Sequence, residues 1–193
     1  MSNNTQFQRT DKAIMQAMTS LLKKKPFEKI TVQDILDETP VTRATFYAHY
    51  HDKYDVVEKM LDHFLDMYGM TRKNIQTDTP QSFYDTARAM FLVNREYAQA
   101  LTSVHTDRVD FTEAIMESHR AKYLAEHTGS TAKVEARIYA SARTALYLSF
   151  LEEDITDFSK EQIHQILISS VLALLNLPED DHETRSFLQR KLM

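Results

Sequence analysis

The stretch that decides the fold is TVQDILDETPVTRATFYAHYHDK, residues 31–53. In its first part, apolar residues at i, i+3 and i+4 from Val32 predict one apolar face of a short helix, which Thr31 can cap. Pro40 breaks this pattern because proline lacks an amide hydrogen and disfavours the helical conformation of the residue before it. The sequence therefore predicts a short helix that ends in a turn at residues 38–41.

A second short helix is predicted from Arg43 to about Tyr50, with Thr42 as its cap. Phe46 and Tyr50 lie four residues apart and should face inward, so the other side chains of this helix point elsewhere. A short helix, a tight turn and a second helix with a polar face are typical of a helix-turn-helix, whose second helix enters the major groove of DNA.

The polar face of the second helix supplies the candidate contacts to DNA. Arg43, near the helix start, can donate two hydrogen bonds to a guanine, and small side chains beside it can approach base edges. Larger polar groups suit phosphate, as does the N-terminal end of the first short helix. The alternative is a solvated polar surface without a partner. The predicted contacts are Thr31, Thr42, Arg43, Ala44, Thr45, Tyr47, His49 and Lys53.

Residues 12–61 resemble the DNA-binding domain of the TetR family of ligand-responsive bacterial repressors. The resemblance rests on an amphipathic first helix, the run KPFEKITVQDI, the triplet Thr-Phe-Tyr at residues 45–47, an aromatic at Tyr50 and a lysine at Lys53. It implies a homodimer, and it implies phosphate contacts by Tyr47 and Lys53. Pro40 stands where the family usually has a small residue, so a slightly different turn is expected.

Composition and charge are consistent with a DNA-binding protein. The net charge of the 193 residues is −5, but residues 1–53 carry eight Lys or Arg and six Asp or Glu. The positive excess therefore lies in the segment with the motif, and DNA affinity should fall steeply with salt. With no cysteine, no apolar signal segment at the N-terminus and no apolar run long enough for a bilayer, a cytoplasmic protein without membrane contact is predicted.

The whole chain is predicted to be all-α. It has two glycines, and its four prolines fall at apparent helix boundaries. Residues 1–53 should form an N-terminal three-helix DNA-binding domain with the helix-turn-helix. A long helix over residues 52–69, ending near Gly69, should link it to a helical domain at residues 70–193. The resemblance implies that this second domain is the effector-binding and dimerisation domain.

Two long helices near the C-terminus indicate a dimer. Residues 163–175 are apolar on nearly every side, so this helix must be covered all round. The preceding helix mixes small residues with large ones, which permits close helix packing. The same two helices of a second copy would cover both, in a four-helix interface with two-fold symmetry. The predicted interface residues are Tyr139, Leu146, Phe150, Ile163, Leu167, Val171 and Leu174.

The sequence contains no motif that indicates an enzyme, a metal site or a cofactor. It lacks a nucleophile elbow, a phosphate-binding glycine loop and paired metal-binding histidines. In the TetR family the effector pocket lies inside the C-terminal domain, which here is rich in Met, Phe and Tyr. Such residues are either plain core or the lining of a pocket for an apolar or aromatic small molecule. The candidate lining residues are Met90, Phe91, Tyr97, Phe111, Met116, Tyr123 and Tyr139.

These observations predict a dimeric transcriptional repressor that leaves a palindromic operator when a small molecule binds. One alternative is a constitutive dimeric DNA-binding regulator without an effector. The other, from a different class, is a small helical enzyme, for which the sequence offers no catalytic residue.

Overall fold

The computed structural model describes residues 2–68, 94–152, 159–174, 176–178 and 180–186. Within these ranges the regular elements are helices, and the predicted all-α fold is confirmed. The helices of the N-terminal half are α1 (Ser2–Leu22), a 3₁₀ turn (Phe27–Lys29), α2 (Val32–Asp37), α3 (Arg43–His49) and α4 (Lys53–Met67). Those of the C-terminal half are α5 (Arg95–Thr102), α6 (Phe111–Glu126), α7 (Ala132–Glu152) and α8 (Lys160–Leu174).

Each helix of the helix-turn-helix begins at a capping side chain. The Thr31 hydroxyl accepts from the amide of Asp34, whose carboxylate accepts from the Thr31 amide in return, so this pair forms a capping box. Thr42 accepts from the amide of Thr45 at the start of α3. Such caps stabilise a helix by about 1 kcal/mol each, which matters for helices as short as α2 and α3.

The turn between α2 and α3 accommodates Pro40 without strain. Among the described residues, a positive φ occurs only at Gly129 and Asn176. Glu38, the residue that ends α2, has a φ of −91°. Because no residue of this turn adopts the left-handed conformation, the turn does not require a glycine, and proline fits.

One apolar core lies beneath the helix-turn-helix. Phe46 of α3 and Tyr50, which directly follows α3, are buried, as their spacing predicts, in one cluster with residues of α1 and α4. Loss of a buried phenylalanine such as Phe46 costs about 3–5 kcal/mol, so this helix depends on its inner face for stability. The other buried members in α1 to α4 include Ile14, Met18, Leu21, Phe27, Ile30, Ile35, Val56, Val57, Met60 and Phe64.

Helix α4 joins this core to the C-terminal half. The Phe64 ring packs against Phe111 of α6, with 5.0 Å between ring centroids. The Tyr97 hydroxyl of α5 donates to the carbonyl of Met60 over 3.0 Å. Helix α4 ends at Met67, close to the predicted end, while Gly69 lies outside the described residues.

Helices α6 and α7 form an antiparallel pair, and Gly129 in their connection has a φ of 131°. Asp110 caps α6 through the amide of Glu113, and Ser159 and Gln162 form a reciprocal cap at the start of α8. No helix of the described part combines the length and the apolar character needed to cross a membrane.

Candidate DNA-binding interface

Helix α3 presents a polar face to solvent on the side opposite its buried aromatic residues. Thr42, Arg43 and Ala44 are exposed at its N-terminal end. Tyr47, one turn further, is 51% exposed, although its ring edge touches Phe46. The predicted division of this helix into an inner and an outer face is therefore present, and four of the predicted contact residues share the outer one.

The guanidinium of Arg43 is held in place by α2. Its Nη2 donates to Oε1 of Gln33 over 2.5 Å, and Gln33 Nε2 donates to Asp37 over 2.7 Å. Ordering the long side chain beforehand lowers the entropy that a hydrogen bond to DNA would cost. The arrangement leaves further N–H groups of the guanidinium for a base edge.

Three of the predicted hydroxyl contacts also serve the local structure. The oxygens of Thr42 and Thr45 lie 2.9 Å apart, and Thr42 caps α3. The Thr31 hydroxyl donates to Asp34 over 2.7 Å. The Lys25 ammonium and then Thr31 lower the pKa of Asp34 to about 2, so this capping carboxylate stays ionised. Each hydroxyl therefore brings only its remaining hydrogen-bonding capacity to a DNA contact.

His49 lies on a different side of α3 from the exposed residues. Its side chain is 6% exposed, and its Nδ1 lies 2.7 Å from Oδ1 of Asp11. Its ring stacks on Phe7, with 3.8 Å between centroids. The phosphate contact expected for His49 from the sequence is therefore unfavourable in this arrangement, because the ring is buried between α1 and α3.

Asp11 ties α1 to α3 and α4. Besides His49, it accepts from the Lys59 ammonium over 2.7 Å. Burial acts to raise its pKa, but the bonds from Lys59 and His49 outweigh burial, and the pKa lies below its ordinary value. The Tyr50 hydroxyl lies beside this carboxylate without reaching hydrogen-bond geometry, and burial together with that negative charge raises the pKa of Tyr50. Sequence reasoning missed this cluster because its members come from three distant segments.

Lys53 points its ammonium into the protein. The ammonium donates to the carbonyl oxygens of Phe27 (2.8 Å), Glu28 (3.1 Å) and Ile30 (2.9 Å). It also lies 4.5 Å from the centroid of the Phe27 ring. Burial lowers the pKa of Lys53 from its ordinary value, although nearby carboxylates oppose this. An ammonium has three hydrogens, so the three carbonyls use its donors, and the predicted phosphate contact stays a prediction.

We therefore expect Lys53→Met to act on stability. Removal of the ammonium leaves three carbonyls, two of them partly buried, without a charged donor, which should lower the free energy of unfolding by about 2–3 kcal/mol. Urea denaturation followed by circular dichroism measures this change, with Lys29→Met as the control because Lys29 is exposed on the same segment. If Lys53 instead holds a phosphate, stability stays unchanged, and the slope of log affinity against log salt falls by about two per dimer.

A second charged cluster lies at the start of α4, where sequence reasoning identified no site. Arg108, from the loop between α5 and α6, donates through Nε to Glu58 over 2.6 Å and through Nη2 to Asp55 over 2.6 Å. Its Nη1 lies 3.2 Å from Oδ2 of Asp52. The amide of His51 and then Arg108 lower the pKa of Asp55 to about 2. A residue between two helices of the C-terminal half thus contacts the start of α4, which directly follows the helix-turn-helix.

The predicted effector residues do not form one pocket in the described part of the chain. Phe111 is fully buried in the core beside Phe64, and Met116 borders a small cavity of about 190 Å³. The Tyr123 hydroxyl donates to Glu135 over 3.0 Å, and the ring centroids of Tyr123 and Tyr139 lie 5.1 Å apart. Met90 and Phe91 lie outside the described residues.

Tyr97 borders a larger groove between α1, α4 and α5. The groove has a volume of about 690 Å³, which is within the range of small-molecule sites. Met15, Met67 and Tyr97 contribute apolar atoms to its lining. The lining also includes charged side chains of α1 and α4, namely Asp11, Lys12, Lys59, Asp62 and Asp66.

Of the predicted interface residues, some face the protein's own core. Leu146 is buried there, and Leu167 packs partly against it. Tyr139 and Val171 are half-buried. The side chains of Phe150, Ile163 and Leu174 lie outside the described part.

Both α7 and α8 also carry exposed apolar residues. Val134 and Ile138 of α7 are 62% and 57% exposed, and Ile166 of α8 is 41% exposed. Ala142 and Ala145 continue the α7 face at helical spacing. Together with Ala173 of α8, which is also exposed, these residues are called the apolar stripe below.

In the described part of the chain, no three His, Asp or Glu side chains are grouped so that they could hold a metal ion.

Residues 14–60 match the family described as "Bacterial regulatory proteins, tetR family". The matched segment spans α1 to α4 and includes the exposed face of α3. No curated protein matches the chain. The match supports a DNA-binding transcriptional regulator, and the predicted resemblance is confirmed for this segment.

Proposed function

We propose that this chain, whose residues 14–60 form a TetR-family DNA-binding domain, acts as a homodimeric repressor that binds a palindromic operator. The observation that supports this most is α3 itself. It is capped by Thr42, anchored by the buried Phe46 and Tyr50, and it presents Arg43 and Tyr47 to solvent. A helix with this division of faces fits the major groove, and it matches the second helix of a helix-turn-helix.

Within the proposed complex, Arg43 reads a guanine through its guanidinium. Thr42, Ala44 and Thr45 approach neighbouring base edges, because their side chains are small. Tyr47 donates its hydroxyl to a phosphate, and the start of α2 at Thr31 faces the backbone. His49 and Lys53 support the domain from inside through the bonds described above.

The apolar stripe supports the homodimer. Val134 and Ile138 of α7 and Ile166 of α8 expose large apolar side chains. Exposed apolar surface of this kind is typical of a protein interface. Two copies related by a two-fold axis would bury both stripes, and this symmetry suits an operator with two equivalent half-sites.

The groove bordered by Tyr97 is the proposed effector site. It contacts α1 and α4 of the DNA-binding domain as well as α5. An apolar molecule bound there would favour one spacing between α1 and α5. Helix α4 would transmit the change in spacing to the recognition helices α3 of the two subunits. These must match major grooves about 34–36 Å apart, so a small change in spacing weakens both half-sites. The alternative is a constitutive regulator, which the small volume of the cavity beside Met116 favours.

A gel-shift assay tests the proposed function. The protein is mixed at low salt with fragments of its own upstream region and of the genome, and bound fragments are retested across salt concentrations and with candidate apolar compounds. We expect a retarded complex that weakens steeply with salt. Release by one compound supports the effector, whereas release by none supports the constitutive regulator. The absence of a complex with any fragment contradicts DNA regulation.

A further inference from the structure

The link between α3 and α4 is short, so the start of α4 sets the direction of the recognition helix. Only residues 50–52 separate the two helices. The amide of His51 donates to Oδ2 of Asp55 over 2.8 Å. Asp52 accepts from the amides of Tyr54 and Asp55. A displacement of the first turn of α4 is therefore passed directly to α3.

Arg108 holds this first turn from outside the DNA-binding domain. Its guanidinium contacts Asp52, Asp55 and Glu58, which lie three residues apart on one face of α4. It also lies 5.5 Å from the centroid of the Tyr54 ring. Single exposed ion pairs contribute little, but one planar guanidinium shared by three carboxylates fixes a geometry that a single pair does not.

The loop that carries Arg108 is itself ordered by local hydrogen bonds. Thr106 accepts at its hydroxyl from the amides of Arg108 and Val109, over 3.2 and 2.9 Å. The amide of Thr106 donates to the carbonyl of Val109 over 2.8 Å. Val109 is buried in the core of the protein. Arg108 is thus presented to α4 from a fixed base between α5 and α6.

The three carboxylates at the start of α4 repel each other unless a cation lies between them. Acidic residues near the start of a helix are favourable because of the helix dipole, but three on one face repel each other. Among the described ion pairs, the other side chain that meets this face is the imidazole of His51, which is 97% exposed. Arg108 therefore neutralises a negative patch that directly follows the recognition helix.

We propose that Arg108 is a positioning residue for DNA recognition, through which the loop between α5 and α6 fixes the orientation of α3. This inference rests on the proposed function, because it concerns the operator complex. Arg108 acts through α4 and makes no contact with DNA. Movement of α5 or α6 would then reach the recognition helix through this guanidinium.

The test compares Arg108→Ala with Arg120→Ala, each on operator and on scrambled DNA, by fluorescence anisotropy. Arg120 pairs only with Glu117 of its own helix among the described ion pairs, so both variants lose one positive charge from the same region. We expect Arg108→Ala to bind the operator about tenfold more weakly than the control. Binding to scrambled DNA should be the same for both variants, and Arg108→Lys should recover part of the loss because it restores the charge without the planar fork.

The variant Glu58→Gln keeps the test decisive if Arg108→Ala does not fold, as judged by circular dichroism. Glu58→Gln keeps the shape of the side chain and should lower the ratio of operator to scrambled binding about threefold, because charged hydrogen bonds are roughly twice as strong as neutral ones. Where Arg108→Ala folds, the double variant Arg108→Ala, Glu58→Gln should lose no more operator affinity than Arg108→Ala alone.

Equal binding by Arg108→Ala and Arg120→Ala on both DNAs overturns the inference. So does an equal loss on both DNAs, because exposed carboxylates would then act by charge alone. An unchanged ratio for Glu58→Gln overturns it in the same way. If the unmodified protein binds no DNA, the proposed function has failed instead, and the two failures are therefore distinct.

Discussion

The double variant Ile138→Glu, Ile166→Glu is expected to be monomeric and to lose specific operator binding. Both side chains belong to the apolar stripe, and each charge would have to be buried without a partner in the proposed dimer. A monomer occupies one half-site, so it loses the gain from linked binding, which is about 10²–10⁴-fold in affinity. Light scattering should give 22.5 kDa instead of twice that mass, with helical circular dichroism retained.

The matched control for the dimer is Leu124→Glu. Leu124 is an exposed apolar residue of α6 that lies outside the apolar stripe, so this variant should remain dimeric and bind the operator. A dimer that survives both glutamates contradicts the proposed interface. An unmodified protein that scatters as a monomer contradicts the dimer itself.

Arg43→Ala is expected to weaken operator binding by about 1–3 kcal/mol at each half-site and to relax the preference at one base position. The alanine removes the paired donors from the groove, whereas Tyr47 and the helix ends keep their contacts to the backbone. Affinity for scrambled DNA should change much less. Binding isotherms at several salt concentrations, on the operator and on each single-base variant of it, measure both effects.

Arg43→Lys separates base reading from charge. Lysine keeps the positive charge but lacks the planar fork, so the salt dependence should stay close to that of the unmodified protein while base preference weakens. If Arg43→Ala instead weakens both DNAs equally and lowers the salt slope, Arg43 holds a phosphate. Base reading would then belong to Thr42, Ala44 or Thr45.

Sequence reasoning succeeded wherever neighbours in the chain decide the structure. The caps at Thr31 and Thr42 follow from residue type and position, since a cap involves amides three residues away. The inward direction of Phe46 follows from helical spacing. The residues that bound α2 and α3 were therefore predictable, and so was the outer face of α3.

It was less informative where the third dimension decides which partner a side chain meets. His49 lies on a short helix with polar neighbours, yet its ring is buried against Phe7 and Asp11. The ammonium of Lys53 meets backbone carbonyls, which leave no signal in a sequence. Arg108 is separated from Glu58 by fifty residues, and no local pattern connects them.

The apolar stripe shows a related limit. Helices α7 and α8 have apolar residues on most sides, so periodicity fixes the outward face poorly. The large residue Leu146 was predicted to face a partner, whereas it is buried in the protein's own core. The outward face is formed instead by Val134 and Ile138 and by small residues that follow them.

The caps of α2, α3 and α4 also bear on how the protein is made. Each cap joins residues two or three positions apart, so it forms as soon as its own helix leaves the ribosome. At roughly 5–20 residues per second, Arg108 is synthesised several seconds after Glu58, whereas a helix forms within about a microsecond. During translation the nascent helix-turn-helix must therefore persist before Arg108 can pair with the three carboxylates at the start of α4. Its early folding depends on the local caps and the apolar core. In the proposed arrangement, the orientation of α3 is fixed only after the loop that carries Arg108 has been synthesised.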